Sequence, residues 1–345
     1  MREAYEVRKY IRVFHVVEGD PFATSLAQSV GTQELVKGHL GTCHVWPEAT
    51  ASGLPDDYAP LTEPYSCLMT ADPTEAAYDG YAADYREWWA PVIAPAAVSL
   101  LDRLDGLVGA DARLVDIGSG TGTVAVAALR RWAGIRVIGV DPASRLLEWA
   151  EADAREAGGA DRLTVEVGDA AALPLPDASM DLATSTFVLQ LIPDRLAGVR
   201  EALRVLRPGG VFAHLTWRVD EDPFEPEDVF DDALDALRIE PPAREEGAGE
   251  SHESAESAAE EMRGAGFRDV EAREAWLVHR FTPQSYLDVA EHWTEDDVFA
   301  DLDEQARAHL RAEALGRLER LAPEALVWRR PLVSVIGRKP ADPGR

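Results

Sequence analysis

Three glycines at alternate positions, Gly118, Gly120 and Gly122, follow an acidic residue in the run Leu114-Val115-Asp116-Ile117-Gly118-Ser119-Gly120-Thr121-Gly122. Glycine serves where a backbone must turn tightly and approach a ligand closely, and the helix that follows offers free N–H groups at its start. Asp141 closes a second apolar run, Val137-Ile138-Gly139-Val140. An acid at such a strand end can accept both hydroxyls of a ribose. Further on, Gly168-Asp169-Ala170 offers a carboxylate for the exocyclic amine of an adenine and a backbone N–H beside it; a turn or helix cap is the plainer role for Asp169. Together these residues imply a nucleoside-containing cofactor, shared by dinucleotide and nucleoside-sulfonium sites. A dinucleotide turn of the G-x-G-x-x-G type carries its last glycine where Thr123 stands, which counts against a pyrophosphate ligand.

The elements that must hold these residues alternate between strand-like and helix-like patterns, which predicts a parallel α/β sheet. Short apolar strands are expected at 113–117, 136–140, 163–167, 180–187, 211–217, 270–277 and 331–336. Helices are expected at 124–132, 143–156, 195–206 and 258–264, with a helical stretch over 283–321. Pro208-Gly209-Gly210 is read as a helix stop ahead of the fifth strand.

Composition sets the limits. The chain of 345 residues has 34 basic against 62 acidic side chains, a formal charge of −28. That charge disfavours a nucleic-acid partner, because phosphates require a cationic face. No apolar run approaches the roughly 18 residues of a membrane span, so membrane insertion is not expected. Two cysteines, Cys43 and Cys67, argue against a disulfide framework and fit a cytoplasmic protein. Residues 220–261 carry a net −15, and from 241 onward they hold almost no large apolar side chain, so an acidic, flexible insertion is expected over about 220–257, with a short helix near 229–237. Residues 1–72 differ in composition from the rest and read either as an appendage or as an upstream extension; the principal domain is placed at 73–340.

The ordered set Val115 to Gly122, Val140-Asp141, Gly168-Asp169-Ala170, Leu173-Pro174-Leu175-Pro176-Asp177, the stretch 185–194 and Leu206-Arg207-Pro208-Gly209-Gly210 resembles the class I S-adenosylmethionine-dependent methyltransferases. It is most similar to the small-molecule branch that includes the ubiquinone and menaquinone biosynthesis enzymes. The resemblance covers residues 74–218 strongly and 258–340 weakly. It implies a Rossmann-like seven-stranded sheet of order 3-2-1-4-5-7-6 with strand 7 antiparallel, and S-adenosyl-L-methionine as cofactor. Laid on matching positions, it places Asp116, Gly118, Ser119, Gly120 and Gly122 at the methionine end, Asp141 at the ribose, Asp169 and Ala170 at the adenine, and Ser185 and Thr186 by the methionine group. Gln190 stands where relatives often have His; a surface role competes with one facing the substrate.

Tyr78, Tyr81 and Tyr85 fall at helical spacing ahead of the first strand, followed by Trp88 and Trp89. In similar enzymes this segment covers the cofactor and walls the acceptor site; an amphipathic helix packed by its aromatics is the competing reading. Trp217 and Trp293 would suit a planar or apolar small-molecule acceptor. Direct displacement at the sulfonium methyl needs positioning more than acid–base help. Were a base required, Tyr85, His214, His279 and His292 are the weak candidates: His214 lies in an apolar strand as a satisfied core residue would, and exposure is the default for the other two. The stretch 283–321 reads as a pocket cap or a homodimer contact. No metal-ligand spacing is present. A nicotinamide-dependent oxidoreductase and a non-catalytic descendant that keeps the cofactor pocket are the alternatives.

Overall fold

The computed structural model describes residues 81–220, 222–242 and 251–341. Tyr78, both cysteines and the 1–72 segment lie outside the described residues.

A seven-stranded sheet runs β3-β2-β1-β4-β5-β7-β6. Its strands are β1 (Arg113–Ile117), β2 (Arg136–Asp141), β3 (Leu163–Val167), β4 (Met180–Thr186), β5 (Leu206–Trp217), β6 (Arg268–Arg280) and β7 (Val327–Arg338). The first five pair in parallel, and β7 is antiparallel to both β5 and β6. The central strands read as near-continuous apolar runs because both of their faces are covered. On one face α1 (Ala90–Ser99), α2 (Thr123–Arg131) and α3 (Ser144–Glu156) bury Val92, Ile93, Val124 and Ala154 against Leu114, Val137 and Leu182. On the other, α4 (Arg195–Val205) and α6 (Ala255–Gly264) bury Val199, Ala202 and Met262 against Val115, Ala183 and Phe212. The expected strand order holds.

Three departures from the sequence reading have local causes. Strand β5 begins at Leu206 rather than after the Pro-Gly-Gly. Leu206 is already opposite Met180, and Gly209 and Gly210 exchange backbone bonds with Lys339 at 3.0 and 2.8 Å, so the expected helix stop is the first part of a strand. The acidic stretch is largely folded where it is described. Helix α5 (Glu225–Leu237) buries Phe230, Ala233 and Leu234, an i, i+3, i+4 stripe that an averaged composition hides. Its acids Glu225, Glu227 and Asp228 sit in the first turn, where the helix dipole favours them. At the far end His252 is buried, and Ser254 with Ser257 forms a capping box that starts α6 three residues before the expected position. Strands β6 and β7 also run longer at both ends than expected.

Between β6 and β7 the chain forms α7 (Pro283–Val289), a π turn (Ala290–Thr294), α8 (Asp296–Ala300) and α9 (Glu304–Leu318). Phe299 packs on Phe230 of α5 at 6.0 Å between ring centroids, and Leu310, Ala314 and Leu318 join the same core. The two insertions thus form one layer over the sheet face that carries α1. A second π turn, Tyr85–Trp89, leads into α1. Among the described residues, no helix is long and apolar enough to cross a membrane.

Candidate functional site

Strand order reverses between β1 and β4, and the glycine turn leaves β1 at that point. In open α/β sheets the crevice at the carboxyl end of such strands is where ligands bind. Gly118, Gly120 and Gly122 all have positive φ, at 69°, 52° and 79°. Two of them are closed in as well: a Cβ on Gly118 would lie 2.2 Å from a methyl of Val188, and one on Gly122 would lie 2.7 Å from Cβ of Ala150. Gly120 differs. Its Cβ position meets only Tyr85, the ring at 3.7 Å and the hydroxyl at 3.8 Å, so its open side faces the π turn.

The turn is tied to β2. The N–H groups of Gly118 and Ser119 donate to the carbonyl of Val140 at 2.7 and 3.0 Å. Asp141 accepts from the N–H of Gly120 through Oδ2 at 2.9 Å and from Ala143 through Oδ1 at 3.0 Å. This carboxylate therefore braces the turn as well as standing at the strand end expected for a ribose ligand. Beneath it, Asp116 is fully buried and accepts the hydroxyl of Thr184 at 2.8 Å and the backbone of Ala125. Burial, opposed by those bonds and reinforced by the nearby Asp141 charge, pushes its carboxyl up to about 7. Ser119 Oγ and Ser185 Oγ are buried and hydrogen-bonded to nothing among the described residues, which leaves two hydroxyls beside the turn with capacity for a ligand. An open glycine, a braced carboxylate and these two hydroxyls fit a nucleoside cofactor.

Asp169 and Ala170 follow β3. Asp169 is exposed and accepts the Ala171 N–H at 2.8 Å, the turn role foreseen for it, while Ala170 is buried. Thr186 is half-buried at the end of β4. Gln190 is buried, which removes the surface reading: its Oε1 accepts the hydroxyl of Thr216 at 2.8 Å.

The aromatic candidates converge on the α1 face. Tyr85 meets Trp293 edge-on at 5.5 Å, Trp88 stacks on His292 at 4.9 Å, and Trp89 contacts Trp293 and Trp328. Trp217 packs on Phe187 and Trp328. Both π turns contribute to this wall. Trp89 and Trp217 are themselves buried in the core, so the rings with exposed surface are Tyr85, Trp88, His292 and Trp293. Tyr81 is 44 % exposed, whereas Tyr85, where the π turn begins, is half-buried against Trp293.

Of the remaining histidines, His214 is buried in β5, the apolar strand in which the sequence reading places it. It points to the α4 and α6 face, beside Phe212 and His252, and is the core residue expected, though its Nδ1 has no partner among the described residues. Burial, then the neighbouring His252 and Arg195, push it down to about 3. His252 is likewise pushed down to about 4 by burial and Arg195, against the pull of Glu261. His279 is half-buried with its ring against Phe281, and His292 is half-buried under Trp88, so neither is freely exposed. Thr184, Val188, Thr216 and His252 are the neighbours of the predicted residues that sequence reasoning missed. Thr184 and Thr216 left a trace there, as polar residues inside apolar strands.

A nucleoside-binding turn at the switch point of a 3-2-1-4-5-7-6 sheet defines the class. Residues 115–214 match the methyltransferase domain family. The chain is 33 % identical over 252 residues to 27-O-demethylrifamycin SV methyltransferase of Amycolatopsis mediterranei, covering 71 % of this chain and 84 % of that protein. It is 35 % identical over 108 residues to the demethylmenaquinone methyltransferase of Deinococcus radiodurans, which spans 31 % of this chain and 43 % of that one. Among solved structures, a putative sarcosine dimethylglycine methyltransferase from Galdieria sulphuraria superimposes with a TM-score of 0.46 at 20 % identity, over 71 % of this chain and 86 % of that one. The chain belongs to the class I S-adenosylmethionine-dependent methyltransferases, and its cofactor is S-adenosyl-L-methionine. The nicotinamide reading falls with that assignment.

Proposed function

We propose that this methyltransferase acts on a flat, largely apolar small molecule held against Tyr85, Trp88, His292 and Trp293. The observation that carries the reading is the position of Tyr85: its ring lies over the open side of Gly120 and its edge meets Trp293. The cofactor turn and the aromatic wall therefore touch through one side chain. The similarity to an enzyme named for the rifamycin scaffold points the same way and favours an oxygen acceptor.

The cofactor supplies a methyl group already activated by a positively charged sulfur. The chain's own residues then have three tasks. Asp141 and the turn backbone hold the nucleoside and amino-acid ends; Asp169 and Ala170 bound the adenine; Ser185 and Thr186 line the approach to the reacting centre. The aromatic rings exclude water and set the acceptor in line, and alignment alone is worth several kcal/mol. Aromatic rings would also favour a cationic sulfur over water were the methyl donor held against them. Tyr85 and His292 are the titratable groups on this wall, whereas His214 faces the opposite side of the sheet.

The test is methyl transfer from labelled S-adenosylmethionine to 27-O-demethylrifamycin SV, a demethylated menaquinol and a malonyl carrier protein. Transfer to a flat apolar acceptor is expected, with Trp293→Ala raising the acceptor KM while cofactor affinity stays within about threefold. Loss of cofactor affinity in that variant, or transfer to the carrier-bound malonyl group alone, would sink the assignment of the wall to the acceptor.

A further inference from the structure

β6 is the last strand of the sheet. β7 pairs along one side of it, and among the described residues no strand pairs along the other. The backbone groups of such an edge form a template for another strand. The carbonyl of Glu271 is already taken by Arg103 at 3.1 Å, so the stretch that remains open runs from Glu274 to Arg280. On one face of this stretch four alternate residues, Glu274, Trp276, Val278 and Arg280, are all exposed. Trp276 is 39 % and Val278 56 % accessible, so two neighbouring large apolar side chains stand in water. Arg329 of β7 stacks its guanidinium 4.1 Å from the Trp276 ring and holds the indole against the sheet.

The order of these residues is symmetric about Leu277: acid and base at three residues before and after it, apolar side chains at one residue before and after. We propose that the open edge of β6 pairs antiparallel with β6 of a second copy of this chain, about a two-fold axis at Leu277. A two-fold contact must be self-complementary, since residue i meeting j requires j to meet i. Opposed residues in a pleated pair also point to the same face, so the axis has to pass through a residue and not between two. With the axis at Leu277, Glu274 of each copy faces Arg280 of the other and Trp276 faces Val278. Moving it to Trp276 sets Glu274 against Val278, and moving it to Val278 sets Glu274 against Thr282. Only the Leu277 register pairs charge with opposite charge and apolar with apolar. Charged residues on an edge commonly repel other strands. Here their spacing instead selects one partner and one register, against the general repulsion that −28 on each copy produces.

Sedimentation velocity on the full chain tests this. The wild-type chain is expected to dimerise. Arg280→Glu sets two carboxylates against each other at both ends of the contact, and Glu274→Arg sets two guanidiniums there. Each alone is expected to raise the dimer dissociation constant by about tenfold or more, since two cross-strand pairs turn from attractive to repulsive. An equimolar mixture of the two variants restores opposite charges at both ends and is expected to form a mixed dimer. Arg280 also donates to the carbonyl of Pro323 at 3.2 Å, so unchanged cofactor affinity in each variant serves as the folding check. A wild-type chain that stays monomeric at every concentration, single variants that associate like the wild type, or a mixture that stays monomeric would overturn the proposal. None of these outcomes depends on which acceptor the enzyme methylates.

Discussion

The cofactor turn and the aromatic wall meet at Tyr85 but are built on opposite plans. The turn is made of backbone: three positive-φ glycines, N–H groups and two short carboxylates, all within residues 116–141. The wall is made of large side chains drawn from two π turns, β5 and β7, separated by more than two hundred residues of chain. A turn of this kind tolerates almost no added atom, because two of its glycines would place a Cβ inside a neighbour. A wall of stacked rings spreads its contacts, so each ring shares the load with others. The difference locates sensitivity to substitution in the turn and tolerance of it in the wall.

The sharpest way to break this contrast is Gly118→Ala. A positive φ disfavours any Cβ, and this one would lie 2.2 Å from Val188, so a loss of about 2–4 kcal/mol in stability is expected by urea unfolding. Adding Val188→Ala should recover the packing part and leave the backbone part. Next in size is Asp141→Ala, which frees the Gly120 N–H that the carboxylate now accepts. Charge-assisted bonds of this kind are worth about 1.5–3 kcal/mol, so cofactor affinity should fall by roughly 10- to 100-fold in calorimetry. An unchanged affinity would remove Asp141 from the binding role.

The opposite sheet face supplies a pH effect. His214 and His252 titrate in the folded chain at about 3 and about 4, below the ordinary 6.5. Between those values the unfolded chain binds protons that the folded chain refuses. Their contribution is therefore complete above pH 6.5 and is lost as pH falls. Asp116 has the other sign: its carboxyl, raised from 3.8 to about 7, keeps a proton that the unfolded chain has released, so stability falls as pH rises through that window. The two trends partly offset in the wild type. His214→Leu should flatten the acid side by about one proton, roughly 1.4 kcal/mol for each pH unit between 4 and 6.5. Unfolding midpoints across that range would show it, and an unaltered slope would mean that His214 is not held neutral.

The smallest effect is expected at the junction itself. Tyr85→Phe keeps the ring over Gly120 and removes only the hydroxyl, so stability should change by less than about 1 kcal/mol. A drop in cofactor affinity larger than that in acceptor turnover would assign the hydroxyl to the turn. The reverse would assign it to the wall.

How much of this was legible beforehand follows the same division. Strands β1 and β3 were readable to the residue, because short apolar runs bounded by polar turns have one reading in an α/β chain. The glycines were readable because their positive φ is a property of their own backbone, whereas Asp116 finds its hydroxyl partner, Thr184, on another strand and Asp141 its backbone partner 21 residues away. The buried state of Gln190 was not, since its partner Thr216 comes from another strand. Nor was the depressed basicity of His214, which comes first from its burial and then from His252, brought beside it at the end of the acidic stretch. Averaged composition misjudged that stretch, because Phe230, Ala233 and Leu234 gain an apolar surface to bury against only when α9 packs beside them.

By itself, the order of strands, helices and glycines determined that this chain folds as a methyltransferase sheet and where its glycine turn leaves the first strand, because backbone conformation and hydrophobic period are written within a few residues of each position. Tertiary structure alone decided which aromatic rings come together, which histidines stay neutral and which strand is left with an open edge among the described residues. Those properties depend on burial and on partners distant in the chain, and one-dimensional spacing does not encode them.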